Sequence, residues 1–303
     1  GITMKNKYMP AAISIYINYI VVGVSVIVLS LNMDSLIAQW GSNKAGFGFV
    51  TSGIGIGKFA VLFIAGVLSD NFGRKPFIMT GMICYIICFI GILYSPNIYV
   101  ALCFAIVSGI ANALIDAGSY AALMESFPSA PGTANLMVKI AIALGQFTLP
   151  LFISFVIVSN LYYGLSFYVL IGILALNFIF MKFTVFPALT KREKGVAPKP
   201  MAGPEMIQKP RLYVEGFALI LYGYTATAGL TICQMWLQKI GETVAGMSVT
   251  ASNALMSYFS IGTLVAVFIT AFLVKSTLRP AFITFIYPIL SIAMCIIWYL
   301  NPT

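Results

Sequence analysis

Histidine is absent from the 303 residues of this chain, which removes imidazole as a general base and as a metal ligand. Charge is scarce as well. Only 8% of residues are Asp, Glu, Lys or Arg, against about 25% in soluble domains. A chain that is 60% hydrophobic would expose too much hydrocarbon in water, so lipid is its solvent. The eight acidic residues are outnumbered by seventeen basic ones, for a net charge of +9. The basic residues stand at the ends of apolar runs, which excludes a nucleic-acid reading. The five cysteines show neither metal-ligand nor disulfide spacing and read as packing residues. No nucleophile stands beside a base, and no glycine-rich phosphate loop is present. The chain is therefore expected to be no enzyme and to carry no cofactor and no metal.

What is there is a series of long apolar runs. A membrane-crossing helix needs about 20 mostly apolar residues. Runs of that kind lie at 11–37, 47–69, 76–94, 98–124, 133–158, 162–186, 212–238, 248–274 and 280–300. They lack the sustained period-two alternation of strands, so nine helical spans are expected. Lys and Arg placement orients them. With the N-terminus inside, thirteen basic residues fall at inner ends and two, Lys44 and Lys239, at outer ends. Pro187 to Arg211 holds five prolines and six basic residues and reads as a solvated cytoplasmic linker.

A shift of 200 residues aligns the start of the chain with the segment after that linker. Ile20 falls on Ile220, Gly23 on Gly223, Gly41 on Gly241, Ala45-Gly46 on Ala245-Gly246 and Ser52 on Ser252. After a four-residue slip, Pro76 meets Pro280. Shared loop geometry is expected around Gly41 and Gly241. The repeat implies two related halves: a six-span domain over 1–186, the linker over 187–211, and three spans over 212–303. Three further spans are expected beyond Thr303, and Gly1-Ile2-Thr3 ahead of Met4 reads as extraneous to the native start.

Between the second and third runs stands Gly66-Val67-Leu68-Ser69-Asp70-Asn71-Phe72-Gly73-Arg74-Lys75. Gly73 permits a tight helix-to-helix turn, Arg74 can pair with Asp70, and Lys75 can anchor the inner face. The segment resembles the signature loop G-x-L-x-D-x-x-G-R-K of the major facilitator superfamily. That resemblance implies an all-α membrane protein of the major facilitator fold. It also implies that Gly66, Asp70, Gly73, Arg74 and Lys75 form a gating loop that latches two halves on the inner side. The corresponding loop of the second half, Thr270 to Pro280, keeps only Arg279-Pro280.

Charges inside the apolar runs are the functional candidates, because each costs at least about 2.5–3.5 kcal/mol near the bilayer centre. Four stand out: Asp34, Lys58, Asp116 and Lys139. Ser108, Asn112, Asp116 and Tyr120 are spaced four apart and share one slowly turning helix face. Thr227, Thr231, Gln234 and Gln238 form a second polar stripe, and Asn253, Ser257 and Ser260 a third. Lys58 and Asp116 both lie roughly 15–18 Å from the inner face at 1.5 Å per residue, so they can pair. A structural pair and a coupling site both stay open. Lys139 is expected to snorkel or to meet Glu125.

Two stretches resemble the fucose permease branch of proton symporters. Asp34-Ser35-Leu36-Ile37-Ala38-Gln39-Trp40 looks like its span 1 segment D-V-L-I-P-H-F, and Gly109 to Pro128 is similar to its glycine-rich span 4, with Asp116 on the acid. The resemblance implies proton coupling at Asp116 and Asp34. Asn112, Lys58, Tyr120, Thr231, Gln234, Gln238 and Asn253 are the substrate-binding candidates. Lys58 has no counterpart in that branch and leaves room for an anionic solute. Gly145-Gln146-Phe147-Thr148-Leu149-Pro150 lacks the repeated glycines of drug/proton antiporters, which favours symport over export. The expected function is proton-coupled uptake of a small polar solute, a sugar or related metabolite. A drug/proton antiporter, or a non-transporting receptor or assembly protein on the same scaffold, is the alternative. The expected partners are the solute, protons and the bilayer. A monomer in a bacterial inner membrane, with a cytoplasmic N-terminus, is expected.

Overall fold

The computed structural model describes residues 6–188 and 212–276, with 289, 290, 292–294, 296, 297 and 300. The ninth run, apart from those last eight residues, and most of the linker lie outside the described residues. Ten helices are described: α1 (Met9–Val24), α2 (Ile27–Leu31), α3 (Met33–Trp40), α4 (Lys44–Phe72), α5 (Arg74–Tyr94), α6 (Ile98–Ser126), α7 (Pro131–Val158), α8 (Leu165–Lys182), α9 (Leu212–Thr243) and α10 (Val249–Ser276). No strand occurs among the described residues. Six stretches within them are long and apolar enough to cross a bilayer.

Helix starts follow local chemistry. Asn43 caps α4 by accepting from the Gly46 amide at 2.9 Å, and Asn97 caps α6 by accepting from Tyr99 and Val100 at 3.0 Å. Pro131 opens α7, where a missing amide costs nothing.

The first run departs from expectation. A single span over 11–37 was anticipated, but the chain breaks into α1, α2 and α3. The Ser25 hydroxyl donates to the Val22 carbonyl at 2.8 Å, and the Asn32 amide donates to Val28 at 2.8 Å. Side chains that bond the backbone locally compete with the helix ladder, and the breaks fall at these two residues. The second half also departs. Gly41 caps α3 with φ +60, whereas Gly241 lies within α9 and the matching left-handed residue is Gly246, φ +64. The loop geometry is thus displaced by five residues from Gly241 to Gly246.

The core is built mainly from α1 to α8, with Tyr19, Tyr85, Phe89 and Phe167 fully buried and Met256 joining from α10. A polar seam ties α1 to α8: Asn177 donates to Asn18 at 2.7 Å and to the Ser14 carbonyl at 2.9 Å, and accepts from the Ser14 hydroxyl at 2.8 Å. α10 packs along α7, where Ser257 donates to the Phe147 carbonyl at 2.8 Å.

Candidate functional site

The centre of the site is set by how closely α4 and α6 approach. A Cβ placed on Gly109 would run into the Ile54 carbonyl oxygen, and one on Gly57 into that of Ile106. Two facing glycines let the helix backbones touch. Lys58 and Asp116, which flank this contact, then meet: Lys58 Nζ lies 3.2 Å from Asp116 Oδ2. The other carboxylate oxygen accepts a hydrogen bond from the Tyr19 hydroxyl of α1 at 2.7 Å. Tyr19 in turn packs on Tyr120, ring centroids 5.6 Å apart. Asn112, one turn from Asp116, keeps its buried Oδ1 without a hydrogen-bond partner among the described residues. The expected face of α6 thus joins the expected lysine of α4.

Tyr19 was missed by sequence reasoning. Its only signal was a cluster of polar residues, Tyr16, Asn18 and Tyr19, in an otherwise apolar run.

At the basic end of the bundle, the turn from α4 to α5 is made by Gly73 at φ +103, ψ +162, a backbone region that L side chains rarely adopt. Arg74 Nη1 pairs with Asp70 at 2.6 Å and donates to Ser69 Oγ at 3.0 Å, while Nη2 pairs with Glu125 of α6 at 2.8 Å. Lys75 donates to the Lys182 and Thr184 carbonyls at 3.0 and 2.9 Å, satisfying the end of α8. Gly66 is half-buried with open space around it. Glu125 therefore belongs to Arg74. Of the two expectations for Lys139, the contact with Glu125 does not form, and the side chain is exposed.

Asp34 stands at the other end. Lys239 Nζ of α9 lies 2.8 and 2.9 Å from its two carboxylate oxygens. A cavity of about 390 Å³ opens beside the pair, lined among others by Asn32, Asp34, Ser35, Tyr162, Tyr163 and Gln238; its lining includes neither Lys58 nor Asp116. Gln238 donates to Glu242 at 3.1 Å. The Tyr163 hydroxyl donates to Gln39, whose amide donates to the Ile92 and Ser95 carbonyls at 2.9 and 2.8 Å. Thr231 and Gln234 are half-buried on α9. Asn253 is fully buried on α10, with neither amide atom bonded among the described residues.

Lys239 is the second residue that sequence reasoning missed. A basic residue at the end of an apolar run reads as a headgroup contact until its partner is known.

The chain is similar to known proteins. Residues 15–303 match the Major Facilitator Superfamily. The chain is 42% identical over 300 residues to the inner membrane transport protein YdiM of Escherichia coli K12, covering 99% of this chain and 74% of that protein. It is 38% identical over 289 residues to the MFS-type transporter YfkL of Bacillus subtilis 168, covering 95% and 72%. The crystal structure of a D-xylose-proton symporter superposes with a TM-score of 0.67 at 14% identity, over 89% of this chain and 69% of that one. At that identity the likeness speaks to fold alone. A multi-pass helical chain with this loop and relatives of this kind belongs to the major facilitator superfamily of membrane transporters.

Proposed function

We propose that the chain is a proton-coupled symporter of a small polar solute, a sugar or related metabolite, working by alternating access with its basic end in the cytoplasm. One observation carries the reading: Asp116, inside a span, holds a lysine at 3.2 Å and a tyrosine hydroxyl at 2.7 Å on its two oxygens. A proton on Asp116 would compete with these two contacts, so movement of Lys58 or of Tyr19 changes what the carboxyl group meets. Protonation of Asp116 frees the Lys58 ammonium. Tyr120, half-buried beside this centre, offers a ring face, and the Asn112 carbonyl a hydrogen-bond acceptor, both suited to a polyhydroxylated solute. The solute named for the xylose symporter is of that class.

A second reading rests on Lys58. Once Asp116 is protonated, its ammonium can accept an anionic group, so a sugar acid or other carboxylate fits the same centre. Asp34 would contribute to solute binding or to the proton path from the outer side, and the Gly66 to Lys75 loop would latch the inner side.

The test is uptake into proteoliposomes of labelled sugars, sugar acids and amino acids, with and without a proton gradient. Asp116→Asn should abolish gradient-driven uptake while exchange or binding partly survives. If Asp116 is only a structural partner, folding and every transport mode should fail together. The swap of Lys58→Asp with Asp116→Lys would then restore them, and that restoration would sink the coupling role.

A further inference from the structure

We propose that Lys239 is a positioning residue of the transport cycle, one half of an outer latch that closes the path between α3 and α9, and that it changes carboxylate partner when the path opens.

The elements it joins lie far apart in the chain, at a separation of 205 residues between Asp34 and Lys239. They are also elements on opposite sides of the linker, which must separate if the transporter opens outward. Lys239 is 8% exposed. Asp34 keeps 69% of its side chain open on the cavity side, so the two charges are unequally hydrated. The buried ammonium depends on its partners, whereas the carboxylate can leave into water.

A second carboxylate is already in place for that moment. Glu242, three residues along α9, has Oε2 3.6 Å from Lys239 Nζ. Lys239 therefore has one partner across the gap and one on its own helix. When Asp34 departs, Glu242 keeps the ammonium neutralised, so opening does not strand a buried charge. A permanent staple would have no use for the second acid.

Beside the pair, Phe47 of α4 stacks on Trp40 of α3 at 6.4 Å between centroids and meets Trp236 of α9 edge-on at 6.3 Å. This aromatic layer keeps water from the closed path, and Trp236 is three residues from Lys239 on the same helix. The ion pair and the aromatic layer thus close the same gap between α9 and the first helices. The assignment uses only the transporter fold and the orientation proposed above. It holds whichever solute is carried and whether or not Asp116 takes a proton.

The experiment needs no substrate. Ser30, one turn before Asp34, is 2% exposed and lines the cavity. With the five native cysteines replaced, Ser30→Cys serves as the reporter for a membrane-impermeant maleimide, added to right-side-out and to inverted vesicles. Lys239→Gln should speed outer labelling by at least about fivefold, the lower end of ordinary coupling between two states. Lys239→Arg should keep the parent rate, and the swap of Asp34→Lys with Lys239→Asp should return toward it. Glu242→Gln should act in the opposite sense and slow labelling, because it removes the open-state partner. A purely structural lysine predicts no such reversal of sign. An unchanged rate in a Lys239→Gln protein that keeps its gel-filtration profile overturns the proposal. If that variant does not fold, Asp34→Asn breaks the same pair from the other side and decides by the same criterion.

Discussion

At the scale of single residues, the site is made of side chains that only make sense in pairs. Asp116 without Lys58 and Tyr19 would be a bare carboxylate in a span, and Arg74 answers two acids, Asp70 and Glu125, at once. Gly73 is the residue that lets Arg74 do so, since its backbone at φ +103, ψ +162 is open essentially to glycine alone. Gly73→Ala is expected to cost about 1–3 kcal/mol, read as a lowered Tm of the purified protein in detergent. Arg74→Lys should fare differently. It keeps the charge but loses the planar fork that reaches both acids, so the prediction is a Tm below the parent's and a smaller loss than for Arg74→Ala. A larger loss for the lysine variant would contradict the two-acid geometry.

At the scale of elements, helix contacts decide which residues can meet. The α4–α6 contact rests on Gly57 and Gly109, each seated on the other helix's backbone. Gly109→Leu should force these helices apart at an overpacking cost of about 1–3 kcal/mol. Because the contact holds Lys58 beside Asp116, it should also remove gradient-driven uptake as fully as Asp116→Asn does. Gly48→Ala on α4, with open space around it, is the matched control and should leave uptake intact. The broken first span makes the same point from the other direction. Ser25 and Asn32 turn their side chains onto the backbone, so Asp34 rides on the short helix α3 and reaches Lys239 rather than Asp116.

At the scale of the whole molecule, the described contacts from α10 to the earlier helices run along α7, and those from α9 reach α2 and the Asp34–Lys239 end. We expect residues 1–188 and 212–303, co-expressed as separate chains, to co-purify from membranes. Met256, 2% exposed against that seam, should be its weak point, and Met256→Asp should reduce recovery of the pair several-fold. Equal recovery with and without that substitution would place the association elsewhere. The sequence by itself determined the solvent, the helical class, the family loop and the candidate charges, because each is a local property. Apolar length selects lipid, G-x-x-x-D-x-x-G-R-K sets a turn, and an Asp or Lys within an apolar run declares itself by its cost. It also placed Lys58 and Asp116 at one depth, since helix rise converts residue number into height. Only the tertiary structure decided that Tyr19 completes that centre, that Glu125 belongs to Arg74 and not to Lys139, and that Asp34 faces Lys239. Each of those outcomes depends on which helices become neighbours and on the rotation of each about its own axis. Residue number carries height along a span but not that rotation, and the pairs concerned are 97, 51 and 205 residues apart.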